Sequence, residues 1–281
     1  MHKILNKQNL APAVKEFLIS CPEIARKAEP GQFVVVRIDE KGERVPLTIA
    51  DYDRDKGTIT IVVQEAGKTT SQLGELNVGD TLSDVIGPLG IPSHMENRGT
   101  IACVGGGVGI PPVYPVARGF KEIGNTVVSI IGARTKQLVI WEKKIASVSD
   151  ELYITTDDGS YGRKAFVSDE LQRLIERGRE LCLVFAVGPT LMMRAVCEVT
   201  RPHKLRTIVS LNPIMVDATG MCGACRVSVG GKTKFVCVDG PDFDGHQVDF
   251  DQLLSRQRIY LQEEKKALEF YDLAHKHGRL K

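Results

Sequence analysis

Three cysteines offer the most distinctive chemistry in this chain. Cys222 and Cys225 are separated by two residues and Cys237 follows, so three thiols fall within sixteen residues. Thiolates are soft donors that iron–sulfur clusters and zinc both accept. Either site needs a fourth ligand, and no histidine is near: His203 precedes the loop and His246 lies nine residues past Cys237. Structural zinc usually pairs two C-x2-C knuckles or includes histidine, and Cys237 has no companion. Gly220, Gly223 and Ala224 also leave room for backbone N–H groups to bond inorganic sulfides. The residues favour a cluster, with a structural zinc and three unliganded thiols as the alternatives. Cys21, Cys103, Cys182 and Cys197 sit among apolar neighbours and read as small buried hydrophobes.

A second constellation is the run Gly105-Gly106-Gly107-Val108-Gly109-Ile110-Pro111-Pro112. It follows an apolar strand and opens a helix. Glycines let backbone N–H groups approach a pyrophosphate, and the helix N-terminus adds partial positive charge. Pro111 and Pro112 suit a first helical turn, where a missing N–H costs nothing. The spacing is not G-x-G-x-x-G, which disfavours an ordinary Rossmann dehydrogenase. Gly188-Pro189 ends a later strand, Leu181–Val187, and falls on the same sheet edge, with Met192 and Met193 just beyond.

These groups must be held by a frame, and composition bounds it. The chain has 281 residues, 42% hydrophobic and 26% charged, which suits about two soluble domains. A net charge of +2 gives no case for nucleic acid or an anionic membrane. No apolar run approaches the ~20 residues of a membrane helix. Lys3, Lys7, Gln8 and Asn9 interrupt any N-terminal leader, and seven cysteines is an odd number, so a cytoplasmic protein without a disulfide framework is expected.

The first ~95 residues read as short strands (Gln32–Ile38, Gly57–Gln64, Gly79–Val85) divided by glycine turns, which suggests a small closed barrel or sandwich. After Arg98-Gly99, strands at Thr100–Val104, Thr126–Ile131, Glu151–Thr155 and Leu181–Val187 alternate with helices at Ile110–Ile123, Ala165–Arg177 and Thr190–Thr200. That alternation implies a parallel sheet covered on both faces. The expected units are a barrel over 1–97, an α/β domain over 98–210, a cysteine region over 211–251 and a helical tail over 252–281. Leu261, Ala267, Leu268, Tyr271 and Ala274 mark one face of that tail.

Together these segments resemble the ferredoxin–NADP reductase superfamily, in which a flavin barrel precedes a nicotinamide domain. The family's flavin motif, Arg-x-Tyr-Ser/Thr, is similar to Arg44-Val45-Pro46-Leu47 followed by Thr48, with Pro46 at the tyrosine position. A second flavin segment resembles Val63-Gln64-Glu65-Ala66-Gly67-Lys68-Thr69-Thr70. The resemblance implies FAD bound through Arg44, Pro46, Leu47, Thr48, Val63, Gln64, Gly67, Lys68, Thr69 and Thr70, with the Thr69 and Thr70 hydroxyls on its phosphates. It implies NAD(H) at Gly105, Gly106, Gly107, Val108, Gly109 and Pro111, at Arg134 after the second strand, at Asp157, Asp158 and Gly159, and at Gly188 and Pro189. The family's cysteine before Gly-Pro is replaced by Val187, so no thiol reaches the nicotinamide.

Within the superfamily the chain resembles the small subunits of NADH-dependent reduced ferredoxin:NADP oxidoreductases, most specifically over Asn212–Arg226 and at His246–Phe250. Dihydroorotate-type relatives place a cysteine five residues before the C-x2-C pair, and Asp217 stands there. The resemblance thus implies a 2Fe-2S cluster on Asp217, Cys222, Cys225 and Cys237, with no side chain acting as an acid or base. Flavins convert hydride pairs into single electrons. The implied function is to exchange hydride with NAD(H) at FAD and pass electrons through the cluster. The receiver would be a large flavoprotein subunit holding FAD and 4Fe-4S clusters, with ferredoxin served through the complex. The competing readings are the electron-transfer subunit of a dihydroorotate dehydrogenase-type complex, and a zinc- or flavin-containing regulatory module without turnover.

Overall fold

The computed structural model describes residues 2–276. Eight short strands build the N-terminal part: β1 His2–Ala11, β2 Val14–Ser20, β3 Phe33–Arg37, β4 Arg44–Thr48, β5 Asp51–Asp53, β6 Thr58–Gln64, β7 Thr81–Leu82 and β8 Asp84–Leu89. Helix α1 (Pro22–Lys27) precedes β3, and α2 (Lys68–Glu75) follows β6. They form two antiparallel sheets, ordered β5-β6-β2-β1-β7 and β4-β3-β8. Two corners join the sheets. Between β4 and β5 the Ile49 N–H donates to Gln32 in one sheet and the Ala50 N–H to Thr60 in the other. Between β7 and β8 the Ser83 N–H donates to Ile38. The result is a barrel whose ladder is interrupted at its corners, filled by Ile4, Phe17, Ile19, Val34, Ile59, Ile61 and Leu82. The hairpin β1–β2 escapes the sequence reading because Lys3, Lys7, Gln8 and Asn9 break its apolar alternation.

The second part alternates strand and helix: β9 Thr100–Gly106, α3 Ile110–Glu122, β10 Thr126–Ala133, α4 Glu142–Ser147, β11 Glu151–Thr156, β12 Arg163–Lys164, α5 Val167–Glu176, β13 Leu183–Val187, α6 Thr190–Thr200 and β14 Thr207–Ser210. The sheet runs β12-β11-β10-β9-β13-β14, all parallel. Its central strands β9, β10 and β13 are apolar on both sides, as a sheet covered on both faces requires. Val104, Val128, Ile130 and Val184 pack with α5 and α6, while Ile101, Cys103, Val127 and Phe185 pack with α3 and α4.

The cysteine region follows as a hairpin, β15 (Arg226–Val229) and β16 (Lys232–Phe235), the one-turn helix α7 (Val236–Asp239) and β17 (Asp242–Asp244). Strand β17 pairs antiparallel with β14, so this region extends the parallel sheet by one antiparallel strand. Helices α8 (Phe250–Arg256) and α9 (Leu261–Lys276) close the chain. On α9 Tyr271 is buried, Ala267, Leu268 and Ala274 are half-buried, and Leu261 is exposed. This face packs on α2, and burial together with Glu75 raises the Tyr271 hydroxyl above the ordinary phenol range. The final residues of the expected tail, 277–281, lie outside the described residues. Cys21, Cys103 and Cys197 are buried as expected, and burial pushes their thiols up to about 12. Cys182 is exposed, because it precedes β13 at the sheet's N-terminal edge.

One buried charge holds α5 in place. Glu170 is 2% exposed and accepts from Arg163 Nη1 at 2.7 Å and from Arg173 Nε at 3.0 and 3.1 Å. Burial alone would raise this carboxyl, but Arg173 and Arg163 hold it below the ordinary value. A carboxylate lowered in this way stabilises the fold above the unfolded value of about 4.3, and that contribution fades as pH falls through the folded value. Glu170→Gln should lower stability by roughly 1–3 kcal/mol at neutral pH, since both arginines are partly solvated. The gap from wild type should narrow below about pH 4, as read by denaturant unfolding across a pH series.

Candidate functional site

The crossover from β9 leaves through α3 toward β10, while that from β13 leaves through α6 toward β14. This reversal is the topological switch point, where open α/β sheets bind ligands at the carboxyl ends of their strands. Val187 at the end of β13 pairs with Gly105 of β9, so the two loops lie side by side. Their contact is tightest at Gly109, where a Cβ would stand 2.3 Å from the Val187 carbonyl oxygen and 2.6 Å from Gly188 Cα. Only glycine fits that backbone approach. Gly107 is different. Its φ of +55° is left-handed and the space over it is open. Pro111 and Pro112 lie in the first turn of α3.

A cleft of about 620 Å³ opens over this loop and runs from the barrel to the far strands. Val14 and Gln64 border it from the barrel, Gly106, Gly107 and Val108 form its floor, and Pro189 and Met192 form one wall. Met192 lies close over Gly106, where a Cβ would stand 2.3 Å from its Sδ. At the other end the cleft reaches Arg134 after β10 and Asp157 after β11. The Asp157 and Asp158 N–H groups donate to the Ala133 and Arg134 carbonyls, which ties these two strand ends together. Asp158 turns away into its own bend: Oδ1 accepts from the Ser160 N–H at 2.9 Å and hydroxyl at 2.6 Å. The Ser160 hydroxyl and N–H hold this carboxyl below its ordinary range. Gly159 forms the bend at φ +78°. Sequence reasoning missed Phe166, Ser168 and Leu191, which also line the cleft. Helix periodicity gave no signal for residues sitting at helix starts.

The expected flavin segments lie together on the barrel. Arg44, Pro46, Leu47 and Thr48 are consecutive along β4 with Val45, and Val63 and Gln64 end β6. Gly67 caps α2. The Thr70 hydroxyl is committed locally, accepting from the Ala66 and Gly67 N–H groups at 3.0 Å and donating to the Gly67 carbonyl. Thr69 donates to Glu43, the neighbour of Arg44, and Lys68 Nζ lies 3.8 Å from the same carboxylate. An anionic group is thus already gathered at this helix start. Helix polarity, a hydroxyl and an ammonium together fit a phosphate-bearing cofactor.

The cysteine loop is held by Asp217. Its Oδ1 accepts from the Thr219 N–H at 2.9 Å and its Oδ2 from the Cys222 N–H at 2.8 Å, and these bonds hold the carboxyl below its ordinary range. Cys225 and Cys237 are buried with sulfurs 3.2 Å apart, and Cys222 is exposed. The Ala224 N–H points at Cys222 Sγ and the Cys237 N–H at Cys225 Sγ, each at 3.5 Å. Among the described residues no three such side chains converge on one metal-sized point. Burial, then Cys225, pushes the Cys237 thiol up to about 12. Soft sulfur donors gathered in one loop, with N–H groups aimed at sulfur, are the chemistry a cluster uses.

Comparison with known proteins agrees with this geometry. Residues 212–249 match the iron–sulfur cluster binding domain of dihydroorotate dehydrogenase B. A Thermotoga maritima protein named as a homolog of the dihydroorotate dehydrogenase B (NAD(+)) electron transfer subunit is 48% identical, over 94% of this chain and 93% of its own. The Geobacillus thermodenitrificans electron transfer subunit itself is 34% identical, over 87% and 96%. A solved chain of NADH-dependent reduced ferredoxin-NADP oxidoreductase, described for flavin-based electron bifurcation, superposes with a TM-score of 0.92 at 47% identity, over 96% and 98%. Phthalate dioxygenase reductase shares the fold at 16% identity, with a TM-score of 0.58 over 82% and 86%. The chain belongs to the ferredoxin–NADP reductase-like family of flavin and iron–sulfur electron-transfer subunits that includes those of dihydroorotate dehydrogenase B and of NADH-dependent reduced ferredoxin-NADP oxidoreductase.

Proposed function

We propose that this chain exchanges hydride with NAD(H) and passes single electrons to a large flavoprotein subunit, as the small subunit of a bifurcating ferredoxin-linked transhydrogenase. The observation that carries this reading is the continuity of one cleft. It joins the glycine loop to the barrel residues Val14 and Gln64, in a chain that also matches a cluster-binding domain. In this reading the open floor at Gly107 receives the pyrophosphate, and Pro189 and Met192 enclose the nicotinamide half.

Arg44, Lys68 and Thr69 would hold FAD phosphates at the start of α2, with Glu43 giving way to the stronger anion. FAD supplies the conversion between hydride pairs and single electrons. Cys222, Cys225, Cys237 and Asp217 would hold a 2Fe-2S cluster. Met221, 87% exposed, and Val216 form an apolar rim beside Cys222, suited to a protein partner at the electron exit. The remaining four cysteines are scattered, three of them buried, so further clusters belong to the partner. That partner would carry FAD and 4Fe-4S clusters and serve ferredoxin. The 34% identical relatives support dihydroorotate dehydrogenase chemistry as the second reading. Titrating the purified complex with NADH, NADPH and dihydroorotate separately tests both. Bleaching by NADH, together with NADPH oxidation that reduces ferredoxin and NAD at once, supports the first, and bleaching by dihydroorotate overturns it.

Three variants probe the assigned sites. Arg44→Ala should weaken flavin retention through dilution and desalting, since a charge-assisted bond to phosphate contributes roughly 1.5–3 kcal/mol. Gly107→Val places a β-branched side chain in the open floor and strains a left-handed residue. It should abolish flavin reduction by NADH in stopped flow while flavin and iron content stay at wild-type values. For Asp217, removal to Ala also unties two N–H groups, so lability alone does not separate ligand from loop brace. Asp217→Cys should keep the cluster but shift its potential and its resonance spectrum. An unchanged spectrum and potential in Asp217→Cys would assign the fourth ligand elsewhere.

A further inference from the structure

We infer that Arg256, helped by Arg226, is a positioning residue for the cluster: the guanidinium groups turn the N–H groups of the Cys222–Cys225 turn toward sulfur and raise the cluster's reduction potential. This rests on reading the cysteine region as a cluster site and extends it to side chains outside the ligand set. Arg256 ends α8, a helix anchored by the buried Phe250 and Leu253 and packed on β15. From there its Nη2 donates to the Ala224 carbonyl at 3.1 Å, in the middle of the turn. Its Nε–H is shut off from solvent and has no acceptor in the chain. Among the described residues no carboxylate pairs with it, so its charge is not neutralised. A half-buried cation with no acid beside it and one idle donor is costly to hold for packing alone. An anionic centre in the loop answers both needs.

The turn itself shows what these contacts do. In a trans peptide the C=O and N–H point to opposite sides. The Gly223 carbonyl accepts from Arg226 Nη1 at 3.2 Å, and the N–H of the same peptide, on Ala224, is directed at Cys222 Sγ at 3.5 Å. The next peptide repeats the arrangement. Its carbonyl, on Ala224, is held by Arg256, and its N–H, on Cys225, has no acceptor among the described residues. Two consecutive peptides thus give their carbonyls to arginine and leave their N–H groups for sulfur. The two arginines are not equal. Arg226 is exposed, and its own backbone N–H already serves the Gly223 carbonyl at 3.3 Å. Arg256 is half-buried, where solvent and salt screen its charge less. Reduction adds one electron to a centre already held by anionic sulfurs. A fixed cation and N–H donors to sulfur both favour the reduced form, so both raise the potential.

The test uses the full chain with flavin and cluster bound, and reads the cluster's midpoint potential by redox titration followed in its paramagnetic resonance signal. Arg256→Gln removes the charge and should lower the ratio of reduced to oxidised cluster at a fixed potential roughly ten-fold, which is about 59 mV for a one-electron couple. Arg256→Lys keeps the charge and should fall closer to wild type. Arg226→Gln should shift the potential the same way by less. Iron content, flavin content and the limiting rate of flavin reduction by NADH should match wild type in all three. A wild-type potential in Arg256→Gln overturns the inference, and so does an equal shift in Arg256→Lys, which would make side-chain packing the cause. Should Arg256→Gln lose its iron, Arg226→Gln decides: a lowered potential supports the inference and an unchanged one overturns it. A wild-type chain that holds no cluster would instead overturn the reading of the cysteine region.

Discussion

The site depends on a backbone crossing with no room for a side chain. At Gly109 the loop after β9 meets the loop after β13 so closely that a single methyl would stand 2.3 Å from a carbonyl oxygen. Its φ of −79° is ordinary, so steric approach, not conformational freedom, demands glycine. Because the two loops interlock there, the floor of the cleft and its Gly188-Pro189 wall cannot move independently. The left-handed Gly107 can then be spent on an open surface. The helix that follows is well set for this, beginning with two prolines that need no N–H partner.

Much of this was legible because it is written in local chemistry. The strand, glycine run and helix over 100–122 announce themselves through apolar continuity and a breaker at the turn. So does the alternation that builds the parallel sheet. Hairpin β1–β2 was not legible, since Lys3, Lys7, Gln8 and Asn9 lie on a strand whose inner face needs few apolar residues, Ile4 chief among them. The attachment of the cysteine region was also hidden. Its strand β17 is three residues long, Asp-Phe-Asp, and only the tertiary pairing with β14 makes it a strand. At the candidate site, residue types pointed to Cys222, Cys225, Cys237 and the glycine loop. The carboxylate at 217 was visible only by resemblance, because an aspartate before Ala-Thr-Gly suits an ordinary bend. The structure does give it a bend's hydrogen bonds. Phe166 and Leu191 were invisible because each stands next to apolar helix residues, Val167 or Met192 and Met193, and nothing in residue type tells the cleft-facing one from those facing the core.

A cleft between two bodies is useful only if the bodies are fixed, and polar ties do the fixing. Arg118 of α3 bonds Asp51 of the barrel at 2.8 Å, Lys144 of α4 lies 3.3 Å from the same carboxylate, and Trp141 donates to Glu16 at 2.7 Å. Burial alone would lower the Arg118 guanidinium, yet Asp51 raises it above the ordinary value, so the pair stays charged. On the opposite edge the tie is a buried acid. Asp242 of β17 accepts from Ser93 Oγ at 2.5 Å, linking the cysteine region to the segment between barrel and sheet. Its other oxygen is shielded from solvent without a partner, and burial pushes the carboxyl up to about 6 despite the Ser93 and Ser210 hydroxyls. Such an acid is poorly suited to holding a charge and well suited to a neutral hydrogen bond at lower pH. The two edges thus differ in kind: ion pairs tie the barrel to α3 and α4, while a hydrogen bond to a buried carboxyl ties the cysteine region to the segment between barrel and sheet.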